Sequence, residues 1–429
     1  MKKIVGIIAA LALASAVFAD PELSLVPTSF KGDATLEWVA DLDAETTGMQ
    51  NGTSSEFKIV FIPETTKETS HDQDLWGELK IKVAKDEVAA AGSGINLSLP
   101  SVETAKIHFV DGDFYARLNI LKPSLDFFGG NYAIATRSDA APWSFIKGAV
   151  LLTDHQGFTF ETGLTDLIAF NLQFADNHFQ KSDAKEFAFV ADATLNGKGF
   201  DVEGLEVGAG IGYSTEELAP GVDQDLVFVA KASYKLGIDD KFYVRPSVGF
   251  GVQGDAKALS AALLFGWGAE NIDSDYASEF SFEAGTKQIP KKFTDGVSFA
   301  LTSDLESKDD GGSMGFIFGA SDSTFVPGLK WAADFQGDFY TIGDAWQLNA
   351  LAAYSNTFDI WTLDANFGLR VVKGAETNTG FLYGFGISTD NSIIQNTKLY
   401  IKYAGEHAKD LGAVDNLKGK VTVGTNIHF

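Results

Sequence analysis

The feature that most constrains the fold of this chain is an alternation of apolar and polar residues with a period of two. Clear examples are residues 36–42, 168–174 and 361–371. Such alternation is typical of a β-strand with one apolar and one polar face. About twenty such segments of about ten residues follow one another, each long enough to cross a bilayer when tilted. We therefore predict an all-β fold of about 18–20 strands.

The apolar faces of these strands need a partner. In water they would pack against a second sheet or against helices. The only helix-like run, Ala84–Ala91, is short, and the second face of most strands is polar or glycine-rich. A soluble sandwich is therefore the less favoured alternative, because it needs apolar inner faces on both sheets. We predict a closed antiparallel transmembrane β-barrel, since open sheet edges in hydrocarbon would leave backbone groups unpaired.

The N-terminus has the three parts of an export signal. Lys2 and Lys3 are followed by the apolar run Ile4–Leu13 and by the small-residue site Val17-Phe18-Ala19. This pattern predicts a signal peptide over residues 1–19, which is too short in its apolar part to span a membrane. We expect residues 20–429 to form one barrel domain in the outer membrane of a bacterium.

Charge and cysteine content exclude several functions. The net charge is −25 and there is no cysteine, so we expect no nucleic-acid partner, no disulfide and no thiolate metal site. The six histidines lack metal-ligand spacing, and no hydrolase motif is present. Gly208, Gly210 and Gly212 imitate part of a nucleotide loop but lie within a predicted strand, where inward glycines fit a curved wall with little side-chain filling. We predict no enzyme, no cofactor and no metal site.

A barrel of this strand number leaves a channel unless something fills it. The leading hypothesis is an aqueous pore for small solutes, with an acidic inner face that favours cations. The alternation places the following candidate residues on the pore lining: Glu37, Lys80, Asn171, Asp192, Asp364, Asn366 and Arg370. A substrate-specific channel stays open as an alternative.

The connections differ in length. Asp111–Asp113 and Gly237–Asp240 are predicted as short periplasmic hairpins. Longer polar stretches are predicted as surface loops, namely Asp43–Gly52, Glu64–Asp74, Ser303–Gly312 and Asp390–Asn396. Ala84–Ser98 and Gly129–Ala141 are the least strand-like tracts. Either could fold into the lumen as a constriction, although a plain surface loop is favoured.

Aromatic residues near strand ends predict girdles at the two membrane interfaces. The candidates are Trp38, Trp76, Trp143, Trp267, Trp331, Trp346, Trp361, Tyr354 and Tyr403. The last strand resembles the terminal strand that barrel-assembly machinery recognises in outer-membrane proteins. It carries apolar side chains at alternate positions and ends on an aromatic residue: Val421, Val423, Ile427 and Phe429.

One stretch resembles a narrower family. Residues 32–42 form a glycine-led strand with Leu36-x-Trp38 and Asp41-Leu42, and a loop with Gly48 and Asn51 precedes residues 53–59. This is similar to the N-terminal region of treponemal major outer sheath proteins, which include the Tpr proteins. The resemblance implies a surface-exposed spirochaetal porin, often oligomeric, that also acts as an adhesin for host matrix proteins and as an antigen.

The sequence thus supports two functions of different classes. In the first, the barrel is a diffusion pore. In the second, it is a platform for loops that bind host matrix proteins or neighbouring subunits. An outer-membrane enzyme is the least favoured alternative, because no catalytic constellation is recognisable.

Overall fold

The computed structural model describes most of the chain. The described residues are 23–63, 75–84, 101–130, 150–177, 186–217, 224–239, 241–254, 256–268, 272–273, 292–293, 295–304, 314–338, 346–374, 376–390, 393–407 and 416–428. The predicted signal peptide, Trp143 and Phe429 lie outside them.

Long antiparallel strands make up nearly all of this structure. In chain order they are β1 Leu23–Asp41, β2 Thr46–Pro63, β3 Leu75–Ala84, β4 Ser101–Asp111, β5 Phe114–Asn119, β6 Gln156–Leu164, β7 Ile168–Asp176, β8 Phe187–Asn196, β9 Leu205–Ser214, β10 Val227–Tyr234, β11 Tyr243–Gln253, β12 Ala256–Gly266, β13 Gly296–Asp304, β14 Met314–Asp322, β15 Leu329–Asp338, β16 Trp346–Phe358, β17 Trp361–Lys373, β18 Thr377–Asp390, β19 Thr397–His407 and β20 Asn416–His428. Two single 3-10 turns, Phe127–Gly130 and Gly197–Phe200, accompany them.

These strands form one ring. The sheet contains 21 strand segments, but Leu236–Gly237 pairs with the same neighbour as β10, so twenty strands make up the circuit. Each strand pairs with the next along the chain, and β20 pairs with β1 with Trp38 opposite Val423. Every strand in this circuit has a neighbour on both sides, as a sheet in hydrocarbon requires, and residues 23–32 of β1 extend beyond the end of β20 and pair with β2 alone. The predicted antiparallel barrel of about 18–20 strands is confirmed.

The outer face of the ring is apolar and exposed. Phe318 is 50% exposed and lies opposite Phe299 and Phe335, which also point outward. Leu263, Phe367, Phe385 and Ile401 are similarly exposed on their strands. Large apolar side chains in such a band are stable only where hydrocarbon surrounds them. Among the described residues, none belongs to a helix long and apolar enough to cross a membrane.

The ring has two distinct ends. We call the end where β1 begins and β20 finishes the termini end, and the opposite end the loop end. The tight connection at Gly112–Asp113 lies at the termini end, and the longest connection, residues 120–155, leaves from the loop end. An even number of strands places the first and last strand ends together, as in bacterial single-chain barrels.

The structure corrects three loop predictions. Asp43–Gly52 is mostly strand, because the turn ends at Glu45 and β2 starts at Thr46. Asp390–Asn396 joins two strand ends at the termini end, the same end as Asp111–Asp113, so the two cannot face opposite sides of the membrane. Glu64–Asp74 lies outside the described residues, but the strand ends it joins are also at the termini end. Length alone is therefore a poor guide to the side on which a loop lies.

Candidate functional site

Part of the longest connection lies inside the ring. We call residues 120–130 the first limb and residues 150–155 the second limb, and both together the inner loop. Phe127 on the first limb is 1% exposed, and it forms one apolar cluster with Val150 and Leu152 of the second limb and with Val190 and Val229 of the wall. The described first limb therefore enters the lumen immediately before the tract Gly129–Ala141. Residues 131–141 lie outside the described residues, so the surface-loop prediction for that tract and its lumen alternative both stay predictions.

Three inward glycines of β9 make room for the inner loop. A β-carbon on Gly210 would lie 2.7 Å from Phe127 Cδ1, and one on Gly208 would lie 2.8 Å from Phe128 Cε1. A β-carbon on Gly212 would lie 2.8 Å from Val150 Cγ2. Such distances are too short for any larger residue without displacement. The sequence-based view that these glycines face an unfilled lumen is therefore wrong, because aromatic and apolar side chains of the inner loop occupy the space.

Two wall residues hold the backbone of the first limb. The Leu125 N–H donates to Gln173 Oε1 at 2.7 Å, and the Gln173 amide donates to the Asp126 carbonyl oxygen at 2.6 Å. The Phe128 N–H donates to Asp192 Oδ2 at 3.0 Å, and the same oxygen accepts from Asn171 at 2.9 Å. Buried polar groups need such partners, so these bonds fix the limb in register with β7 and β8.

The second limb is attached to the far end of β9. The Ser214 hydroxyl donates to the Leu151 carbonyl oxygen at 2.7 Å. The Leu151 N–H donates to Gln224 Oε1 at 3.1 Å. The Thr153 N–H donates to Glu216 Oε2 at 2.6 Å. The two limbs are thus fixed to different parts of the wall.

A cavity of about 570 Å³ lies between the first limb and the wall. Its lining mixes acids, bases and amides, and includes Glu161, Asp192, Glu206, Lys122 and Lys231. Lys231 Nζ lies 2.7 Å from Glu206 Oε1 and 4.5 Å from the centre of the Phe128 ring. Charges of both signs along this wall offset each other locally, so the wall itself has no large excess of acid.

Among the described residues, a group of acidic side chains lies at the loop end beside the inner loop. We call Asp154, Asp176, Glu186, Glu216, Glu217 and Asp225 the acidic mouth. The described stretches that carry them, residues 150–155, 176–177, 186, 214–217 and 224–226, contain no Lys or Arg. A concentration of one charge sign at the entrance of a low-dielectric channel raises the local concentration of the opposite ion.

The structure places the predicted pore-lining residues on the inner face. Asn171 and Asp192 lie directly opposite each other and support the inner loop. Arg370 is only 3% exposed and donates to Gln347 at 3.1 Å, so it belongs to a covered polar network and not to an open water surface. Glu37, Lys80, Asp364 and Asn366 share the inward side of their strands with these residues. That they line a conducting path stays a prediction.

The seam where the ring closes is also braced from inside. Tyr400 on β19 crosses Gly424 of β20 and donates a hydrogen bond to Glu37 Oε1 on β1 at 2.5 Å. Lys402 Nζ lies 3.7 Å from the same carboxylate oxygen. Val421, Val423 and Ile427 of β20 lie on the opposite, outer side, facing Ala40, Trp38 and Ala34 of β1. We call Glu37, Tyr400, Lys402 and Gly424 the seam brace.

Most of the aromatic girdle candidates lie at strand ends. Trp267, Trp331 and Trp361 lie towards the termini end, and Trp38, Trp346 and Tyr403 towards the loop end. Trp267 Nε1 donates to Asp322 at 2.9 Å, and its ring stacks on that of Phe325 at 5.4 Å. Trp76 is an exception, because its ring stacks at 4.8 Å on His108, which lies opposite Arg117 on the inner face. Its assignment to the girdle is wrong.

Within the described residues, no three His, Asp or Glu side chains come together as a metal site would need. The absence of catalysis and of a metal stays a prediction.

A treponemal surface protein is similar in sequence to part of this chain. Major surface protein MspTL of Treponema lecithinolyticum is 36% identical over 142 residues, which are 31% of this chain and 23% of that protein. The chain therefore matches about a quarter of the length of this relative. The resemblance to treponemal surface proteins is confirmed. No family model matches.

Solved outer-membrane porins also align over nearly the whole chain. An engineered variant of the Rh. blastica porin is 13% identical, with 95% of this chain and 100% of that chain covered and a TM-score of 0.31. Vibrio cholerae OmpT, described in its trimer form, is 10% identical, with 95% and 99% covered and a TM-score of 0.34. TM-scores this low do not support an architecture by themselves. The architecture therefore rests on the strand pairing of the chain itself. Its closed ring, apolar outer band and treponemal relative place the protein in the outer membrane.

Proposed function

We propose that this outer-membrane barrel, a relative of a treponemal major surface protein, is a diffusion pore for small hydrophilic solutes, with a preference for cations. The proposal is supported chiefly by a closed ring of twenty strands whose inner face is polar and partly filled by an inner loop. The barrel needs no catalytic step, cofactor or metal for this role. In this proposal the termini end faces the periplasm and the acidic mouth faces outward, because the first and last strands of bacterial barrels usually begin and end on the periplasmic side.

The direct test is single-channel current of the refolded protein in planar bilayers. A pore gives discrete current steps, and a cation preference gives a reversal potential of the matching sign in a salt gradient. Absence of steps, with the barrel shown to be folded by circular dichroism, would exclude the pore. A preference for anions would exclude the second part of the proposal alone.

The acidic mouth is the expected origin of selectivity. Neutralising exposed acids there with Asp154→Asn, Glu217→Gln and Asp225→Asn should move the reversal potential towards zero, because fewer cations collect at the entrance. A matched variant at the termini end, Asp201→Asn, Glu203→Gln and Asp359→Asn, removes the same charge. Equal shifts from both variants would show that net charge, and not the mouth, sets the preference.

Adhesion to host matrix proteins is a second proposed function, and the relative's description as a surface protein favours it. Ser303–Gly312 is the best placed of the predicted loops, since β13 and β14 meet it at the loop end; most of it lies outside the described residues. Replacing residues 305–312 with glycine and serine should reduce binding to immobilised matrix proteins and leave conductance unchanged. Undiminished binding would remove this loop from the proposal.

Recognition by the barrel-assembly machinery and association into oligomers belong to the same proposal. The alternating outer residues of β20 support the first, since they form a regular lipid-facing strand. Mass measurement of the detergent-extracted protein tests the second, because an oligomer has a multiple of the chain mass.

A further inference from the structure

One side chain joins the two limbs of the inner loop. His155 is buried, and its Nε2 lies 3.0 Å from the carbonyl oxygen of Pro123 on the first limb. Its Nδ1 contacts the carbonyl oxygen of Leu152 on the second limb. The first limb is otherwise held by β7 and β8, and the second by β9 and Gln224, so His155 is a direct polar link between them.

The chemistry of this link depends on the proton count of the ring. Both partners are backbone carbonyl oxygens, which only accept hydrogen bonds. A neutral imidazole has one N–H and can donate to one of them, whereas the imidazolium has two and can donate to both. In the neutral ring one nitrogen lone pair would face a carbonyl oxygen, which is unfavourable in a buried site.

We propose that protonation of His155 latches the first limb to the second, so that the inner loop is held more firmly at acid pH and less firmly at basic pH. Its effect on current rests on the proposed pore function. When the ring loses one proton, Nδ1 can still donate to the Leu152 carbonyl oxygen on its own limb. Nε2 then no longer donates to the Pro123 carbonyl oxygen, and the hydrogen bond between the limbs is lost.

Charged groups also lie on the elements that carry or contact the two limbs. Lys122 and Asp126 lie on the first limb, and Asp154 precedes His155 on the second limb. Glu216 accepts from the Thr153 N–H, and Asp192 accepts from the Phe128 N–H. Because the latch depends on the second ring proton, pH is the variable that tests it.

The test compares hydrogen exchange of the Leu125 and Phe128 amides at about pH 5.5 and about pH 8, corrected for the intrinsic exchange rate. Protection of these amides in the unaltered protein should fall about tenfold or more on going to the higher pH, as expected for loss of a buried bond from a charged donor. In His155→Gln the protection should be the same at both values. His407→Gln, which alters a histidine on the outer face beside Phe381, should retain the pH dependence.

A ¹⁵N spectrum of the unaltered protein gives a second measurement that needs no variant. At the lower pH both ring nitrogens of His155 should carry protons. Flat protection in the unaltered protein, or unchanged pH dependence in His155→Gln, would overturn the latch. Current steps with flat protection would reject the latch alone, and pH-dependent protection without any current would reject the pore alone.

Discussion

The wall beneath the inner loop and the seam brace use the same device for different ends. In both, an inward glycine leaves space for an aromatic ring: Gly210 for Phe127, and Gly424 for Tyr400. At the wall the ring arrives from a connection that is separate from the sheet and fills the lumen. At the seam the ring belongs to the neighbouring strand and reaches across β20 to Glu37. The first contact fills part of the lumen, and the second joins the first strand of the ring to its last two.

This difference teaches that glycine in a barrel strand has no single meaning. A loop seated on glycines can leave while the barrel stays closed, because no strand pairing depends on it. A brace across the closing strands cannot be lost without weakening the ring itself. Variants at the two places should therefore separate channel properties from barrel stability.

The largest effect should come from Phe127→Ala. Loss of this buried ring should weaken attachment of the first limb by about 3–5 kcal/mol, as for other buried aromatic truncations. Protection of the limb amides should fall and current noise should rise, while thermal unfolding of the barrel changes little. Phe170→Ala on the outer face is the control, because that ring is already exposed. A similar loss of amide protection in both variants would contradict the claim that Phe127 attaches the first limb to the wall.

A smaller effect is expected from filling the space at Gly210 that the Phe127 ring occupies. In Gly210→Val the new side chain meets Phe127 and Asp192, and such overpacking costs about 1–3 kcal/mol. Displacement of the first limb should increase single-channel conductance. Gly386→Val provides the match, since a β-carbon there has nothing closer than 3.6 Å. An unchanged conductance in Gly210→Val would mean that the limb does not narrow the path.

At the seam, Tyr400→Phe removes the hydroxyl that donates to Glu37. A hydrogen bond to a charged group contributes about 1.5–3 kcal/mol, so the unfolding temperature in detergent should fall. The current should keep its size, because the inner loop is not touched. A change in conductance with no loss of stability would reverse the roles assigned to the two regions.

The smallest effect should come from Tyr403→Phe. Its hydroxyl donates to the Lys418 carbonyl oxygen at 2.9 Å, a neutral bond on the outer side of the same strands. Such a bond contributes about 0.5–1.5 kcal/mol. A loss of stability equal to that of Tyr400→Phe would show that the carboxylate of Glu37 gives the brace no special strength.

The sequence was sufficient for the wall but not for what lies inside it. Alternation fixes which side chains of a strand share a face, so Glu37, Asn171 and Asp192 could be assigned inward from their neighbours alone. The apolar band and the strand number follow from the same local pattern. The outer aromatic residues Trp267 and Trp361 were recognisable because they come at the ends of alternating segments.

The inner loop was not predictable with the same certainty. Phe127 and Phe128 lie in a tract without periodicity, and their contacts are with strands that follow much later in the chain. The one signal was the row Gly208, Gly210 and Gly212, where three successive inward positions lack side chains. Such a row indicates that another part of the chain occupies the space. The local pattern does not show which part that is. Trp76 was misassigned because a tryptophan near a strand end can point to either face.

The bond between Tyr400 and Glu37 joins residues 363 positions apart. Contacts that distant form late, because the intervening chain must be brought into order before its two ends can meet. One edge of β1 therefore stays unpaired until β20 has been synthesised, exported and inserted. A chain truncated before β20 would leave β1 and β19 each with an unpaired edge. Cells that express such a truncated chain should accumulate aggregated protein in the periplasm, not a narrower barrel.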